Sequence, residues 1–297
     1  MFTRMKKDMS LGSAQFGIRG YGITNSSDLI SDEEIQEILK IASLNDIRYI
    51  DSAQAYGDAE IRLGQWVKKE MKMEITSKMH VGGNKKNEQD WEDNLQRSLK
   101  QLRTNYLECL MIHNSENLKG NRGRDLMNWL KVVKERGLAT KIGISIYERG
   151  EIEKINLKEI DVIQVPLSIY DQRIIEGGTL ERLKSESIEI HARSIYMQGL
   201  VVTKSESWPQ WIDKEQLNKH KELEQYCKAQ GITLVEAAHQ FINSIPELDR
   251  YIVGVCNCEQ LVELIEARNR KGTICSDKMK ALRISDDNLV DPRKWPK

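Results

Sequence analysis

Eight short apolar runs, separated by longer amphipathic stretches, limit what this chain can fold into more than any other feature. The runs fall at 9–13, 47–51, 74–77, 107–112, 141–145, 161–165, 188–192 and 250–254. Their length and aliphatic content suit strands buried on both faces. The stretches between them have helical spacing; in one, Leu126, Trp129, Leu130 and Val133 repeat at i, i+3, i+4 and i+7. Another opens with Ser31 and Glu34 at the spacing of a capping box. Alternation of strand and helix makes a parallel sheet covered by helices, and eight units close a barrel, so the class is α/β and the expected architecture a (β/α)8 barrel. A doubly wound open sheet shares the alternation, but no G-x-G-x-x-G follows the first run. A barrel of this kind takes about 250 residues, so residues 1–297 are read as one barrel domain.

Charge narrows the partners. Lys plus Arg and Asp plus Glu each number 45, giving a net charge of zero, which argues against nucleic acid or a membrane surface as the main partner. No run approaches the roughly 18 apolar residues of a membrane span, and MFTRMKKDMSLGSAQFG lacks the apolar centre of a secretory leader. The five cysteines are scattered, and no His/Cys spacing completes a metal site. The expectation is a cytoplasmic protein with reduced thiols, no metal and a small-molecule partner; nothing in the sequence sets its oligomeric state.

Four polar residues stand at or just beyond strand ends: Asp51 closes IRYID, Tyr56 lies in AQAYG, Lys78 closes EITSK and His113 closes LECLMIH. On a barrel they would meet at one mouth. Together they suit reduction of a carbonyl by hydride, which needs a proton delivered as negative charge builds on oxygen. Tyr56 is the candidate acid/base, with an ordinary pKa of about 10. Lys78 is expected to lower it and Asp51 to hold the lysine, while His113 orients the carbonyl. Two rivals remain: a lyase forming a Schiff base on Lys78, and a catalytically silent subunit that only binds a dinucleotide.

The spans LGSAQFG, YIDSAQAYGDAEIRLG, ITSKM, MIHN, KIGIS and VIQVPLSIYD, in that order over nearly the whole chain, resemble the aldo-keto reductase family. Asp51, Tyr56, Lys78 and His113 match its catalytic tetrad one by one. The resemblance implies an oxidoreductase with a nicotinamide dinucleotide extended across the mouth, NADP(H) favoured and NAD(H) possible. It implies cofactor contacts from Gly12, Ser13 and Asp51, from Ser145 and Gln164 to the carboxamide, and from Arg193 where an aromatic often stacks. It also implies contacts from Ser194 and Gln198 to the pyrophosphate and from Glu263 to adenine. Departures stand at Ile146 and Leu264, each replacing an asparagine, and at Gly254, Val255 and Gln260, where cationic or hydroxyl side chains often grip a 2′-phosphate. Arg268 or Arg270 is the candidate replacement. The segments LGSAQFGIRGYGITN and DPRKWPK resemble bacterial members tied to surface-polysaccharide or modified-sugar pathways, which points to a sugar-derived carbonyl.

The longest irregular piece, 201–217, follows the seventh run and is a candidate substrate loop, with Trp208 and Trp211 placed to stack on a sugar ring or to pack the loop. His191 shares the strand face of Arg193 and is expected in the core. His220 and His239 are read as structural.

Overall fold

The computed structural model describes residues 7–23, 28–81 and 87–296. Its strands lie within two residues of the apolar runs: β1 Asp8–Gly12, β2 Tyr49–Ala53, β3 Glu74–Met79, β4 Leu107–Ile112, β5 Ala139–Ser145, β6 Val162–Pro166, β7 Glu189–Arg193 and β8 Arg250–Gly254. They form a closed parallel barrel in chain order, with β8 returning to pair with β1. Around it lie α1 Asp32–Leu44, α2 Ala59–Trp66, α3 Glu88–Leu102, α4 Gly120–Glu135, α5 Thr179–Ser185, α6 Lys214–Gln230, α7 Leu234–Ser244 and α8 Cys258–Asn269. The expected stripe on α4, Leu126, Trp129, Leu130 and Val133, is buried against the barrel.

Helices are not dealt one to a strand. The crossover from β5 to β6 runs through two 3₁₀ turns, Arg149–Lys154 and Leu157–Glu159, which still bury Ile152 and Leu157. The crossover from β7 to β8 carries both α6 and α7, so the irregular segment after β7 ends at Asp213, earlier than 217. The capping box expected on α1 is half made. Ser31 accepts the Glu34 N–H, but the Glu34 carboxylate reaches away to accept the Cys258 N–H at 2.6 Å. The first turn of α8 presents peptide N–H groups and the positive end of a helix dipole, which attract a carboxylate.

At the N-terminal ends of the strands a charged network occupies the barrel. Glu108 binds Thr76 (2.9 Å), Lys141 (3.1 Å) and Arg250 (3.3 Å), and Glu189 binds Lys141, Arg250 and His191. The Arg250 guanidinium lies 3.4 Å from the centroid of the Tyr49 ring. His191 is buried in this network, in keeping with the core expectation. Among the described residues no helix is long and apolar enough to cross a membrane.

Candidate active site

Because all eight strands run the same way, their C-terminal residues share one rim. Asp51 is the third residue of β2, and Lys78 on β3 lies level with Ala53 of β2. The two form an ion pair in which lysine is 1% and aspartate 5% exposed. Gln164 of β6 donates through Nε2 to the other Asp51 oxygen at 2.7 Å. The Lys78 ammonium stands 5.4 Å from the centroid of the Tyr56 ring, and His113 meets that ring edge-on at 6.1 Å between centroids. All four residues line one cleft of about 460 Å³.

The turn bearing Tyr56 is placed by two glycines. Gly57 has φ +54°, and a Cβ there would lie 2.2 Å from the Gly17 carbonyl oxygen. A Cβ on Gly17 would lie 1.8 Å from the Tyr56 carbonyl oxygen. The segments after β1 and β2 therefore pack backbone against backbone, which only glycine permits.

The electrostatics differ from the sequence reading. Burial, then the Asp51 carboxylate, pushes the Tyr56 phenol above its usual range, and Arg193 pulls it down. The expected lowering by Lys78 is missing because that ammonium is matched by Asp51 at contact. The phenol therefore keeps its proton at neutral pH. Burial, followed by the charges of Lys78 and Arg193, lowers His113 to about 4. Its imidazole is neutral at pH 7 and has one N–H to donate.

The cleft runs from this cluster along the rim to α8, and it gathers Gly12, Ser145, Gln164, Arg193, Ser194, Gln198 and Glu263. Ser145, Gln164 and Arg193 bind one another: Arg193 Nε donates to Ser145 Oγ at 3.3 Å, and that hydroxyl faces Gln164 Oε1 at 3.4 Å. The remaining Arg193 nitrogens donate to Ser194 Oγ (3.2 Å) and the Ile146 carbonyl (2.9 Å). Ser13 stands apart. It is fully buried, and its hydroxyl faces the Asp51 carbonyl (3.2 Å) and Ser52 Oγ (2.9 Å), so its side chain ties β1 to β2 outside the cleft lining.

These residues fit an extended dinucleotide. The cleft floor includes Gly12 and Gly254, where a Cβ would come within 3.0 Å of Ile252 and 2.3 Å of the Gln15 amide. Ser194, Met197, Gln198 and Gly199 have φ of +60°, +46°, +54° and +101°. Non-glycine residues held in left-handed backbone are strained, and peptides turned this way form concavities that hold phosphate. Val235, Ile252 and Leu264 give the end near α8 an apolar surface.

Some lining residues escaped the sequence reading. Tyr21, Tyr147 and Arg293 face the cleft beside Tyr56. Burial raises the Tyr21 phenol to about 12. The Tyr147 ring lies 4.2 Å from the Arg193 guanidinium carbon and 3.4 Å from that of Arg293. Arg293 is anchored by buried Asp291 (2.6 Å). Tyr147 lies two residues beyond Ser145 at the end of β5, a position that could have marked it. Arg293 lies in DPRKWPK, a segment that carries part of the resemblance, but nothing in that segment shows that it reaches the mouth from the far end of the chain. Trp208 and Trp211 do not line the cleft. Trp208 is buried, donates to the Leu200 carbonyl at 3.0 Å and stacks on His220, while Trp211 packs against Trp295. Arg268 donates to the Asn45 carbonyl and Arg270 pairs with Glu236, so neither reaches the cleft.

The family model described as "Aldo/keto reductase family" matches residues 8–286. YqkF of Bacillus subtilis (strain 168), named an uncharacterized oxidoreductase, is 26% identical over 199 residues, a match spanning 63% of this chain and 63% of that protein. Among solved structures, the aldo-keto reductase AKR11C1 from Bacillus halodurans, in its holo form, superposes with a TM-score of 0.75 at 15% identity, covering 96% of this chain and 95% of that one. An aldo/keto reductase from Klebsiella pneumoniae, in complex with NADP and acetate, gives 0.71 at 16% identity over 95% and 94%. At those identities the solved structures speak to the fold alone. The barrel they share and the family match over residues 8–286 agree: this chain belongs to the aldo/keto reductase family.

Proposed function

We propose that this protein reduces an aldehyde or ketone with a nicotinamide dinucleotide, and oxidises the alcohol in reverse, with Tyr56 as general acid/base. The observation that carries this reading is the convergence of Tyr56, Lys78, Asp51 and His113 in one cleft that continues to α8. A dinucleotide bound there supplies the hydride. Tyr56 holds the proton at its phenolic oxygen and gives it to the carbonyl oxygen as charge develops. Neutral His113 donates a hydrogen bond that orients the carbonyl, as an uncharged imidazole can. Asp51 holds Lys78 beside the Tyr56 ring, and Arg193 is the nearby charge that favours the phenolate left behind. Ser145, Gln164 and Arg193 would hold the nicotinamide, Gly12 would underlie its ribose, and Ser194 and Gln198 would hold the phosphates. Glu263 would meet the adenosine.

For the dinucleotide, the family resemblance points to NADP(H), with NAD(H) the alternative. For the substrate, we favour a sugar-derived carbonyl. Tyr21 and Tyr147, the latter with Arg193 and Arg293 stacked on its ring, bring hydroxyls beside Tyr56, a wall suited to a hydroxylated molecule. The Schiff-base reading is disfavoured because the Lys78 nitrogen is engaged by Asp51 at contact, and a carbonyl is attacked by an amine free to reach it. A silent subunit would bind dinucleotide and turn nothing over.

Fluorescence titration with NADPH and NADH, followed by a carbonyl panel with the tighter cofactor, tests the proposal. Saturable binding and turnover that Tyr56→Phe removes support it. Absence of both binding and turnover overturns it.

A further inference from the structure

In a dinucleotide laid along the cleft with its nicotinamide at Tyr56 and Lys78, the adenosine lies at the other end, against Ile252, Gly254, Gln260, Glu263 and Leu264. The cations of the described lining, Lys78, Arg193 and Arg293, all stand at the hydride end, where Asp51 pairs with Lys78, and the charged lining group at the adenosine end is the Glu263 carboxylate.

The nearby anion site is already taken in part. A helix N-terminus such as that of α8 attracts phosphate through its N–H groups and its dipole. Here the Glu34 carboxylate accepts the Cys258 N–H at 2.6 Å, and Asn257 Oδ1 accepts the Gln260 N–H at 2.8 Å. The Gln260 side chain turns back to accept the Cys256 N–H at 2.8 Å. Arg268 and Arg270 are committed elsewhere, to the Asn45 carbonyl and to Glu236. A 2′-phosphate would thus bring its charge to a wall carrying Glu263 and to a helix start that already holds the Glu34 carboxylate, and none of the described lining residues at that end is a cationic donor of the kind that recognises phosphate. A 2′-hydroxyl can instead donate to a carboxylate, the usual mark of an NAD site.

We propose, resting on the dinucleotide reading of the cleft, that this chain selects NAD(H) over NADP(H), against the family expectation, and that Glu34 and Glu263 exclude the 2′-phosphate. Glu34 acts by filling the start of α8 with a negative charge of the protein's own. Glu263 acts from the cleft wall.

The test is calorimetric titration of the intact protein with NADH, NADPH, ADP and 2′,5′-ADP, the last two reporting on the adenosine end without the nicotinamide. NADH should bind about tenfold or more tightly than NADPH, and ADP should show the same advantage over 2′,5′-ADP. Glu34→Gln keeps an acceptor for the Cys258 N–H while removing the charge, so it should narrow the NADH advantage several-fold, as should Glu263→Gln. NADPH binding as tightly as NADH, or more tightly, overturns the selection. A preference for NADH that neither variant narrows overturns the role given to the carboxylates. If neither dinucleotide binds, the oxidoreductase reading fails and this one with it. That result differs from reversed selectivity, which would leave the oxidoreductase reading standing.

Discussion

Tyr56 and His113 are tuned in opposite directions by the same burial, and each consequence can be measured. The Tyr56 phenol keeps its proton through neutrality, so it is ready to give one in the reductive direction, whereas oxidation must first remove it. Tyr56→Phe should lower kcat about 10²- to 10⁴-fold while dinucleotide binding persists, checked by steady-state kinetics beside a fluorescence titration. For His113 the sign comes from its shift. Its folded value, about 4, lies below the unfolded value near 6.5. The unfolded chain therefore takes up the proton first, and the neutral imidazole's contribution to stability is complete above 6.5 and lost as pH falls toward 4. Melting temperatures recorded from pH 7 to 4 should fall less steeply for His113→Asn than for the wild type.

Elements place these residues, and the contact between the segments after β1 and β2 is the tightest such placement. Gly17→Ala would drive a methyl into the Tyr56 carbonyl, so kcat should fall at least as far as stability does. Differential scanning calorimetry with a rate assay separates the two. A comparable close approach joins α2 to α3, where a Cβ on Gly64 would lie 2.0 Å from the Gln101 carbonyl oxygen. Gly64→Ala, far from the cleft, should cost about 1–3 kcal/mol of stability, read from denaturant unfolding. The strands and the residues at their ends were legible in the sequence because burial on both faces leaves a plain aliphatic run, and because the barrel fixes where each run ends. Asp51, Lys78 and His113 came with that pattern. Long-range placement was not legible. Nothing near Glu34 says that its carboxylate will cap α8 instead of its own helix, and nothing near Arg293 says that it will stack on Tyr147. The pKa of Tyr56 was misjudged because composition shows that a lysine is near but not that an aspartate has already matched it.

At the scale of the whole molecule, the charged network among the strand N-termini gives the barrel a pH limit. Against burial, which opposes their ionisation, Arg250 and then Lys141 hold the Glu108 carboxylate below its ordinary range, and hydrogen bonds from His191 and Lys141 with the charge of Arg250 do the same for Glu189. Depressed carboxylates contribute stability that is present above the unfolded value of about 4.3 and lost as pH falls through the folded values. Glu108→Gln should destabilise the protein by about 3 kcal/mol at pH 7, because it leaves Arg250 and Lys141 short of a partner in a buried setting. That loss should shrink in acid, and urea unfolding at pH 7 and at pH 3 would show it. The network has a further consequence for how such a protein changes. Its charges answer one another at one end of the barrel, while the groups proposed to meet ligands stand on strand ends and loops at the other. The rim segments carrying Tyr147 and Arg293 could therefore be exchanged for a relative's with the foundation untouched, letting new specificities be tried without first risking the fold.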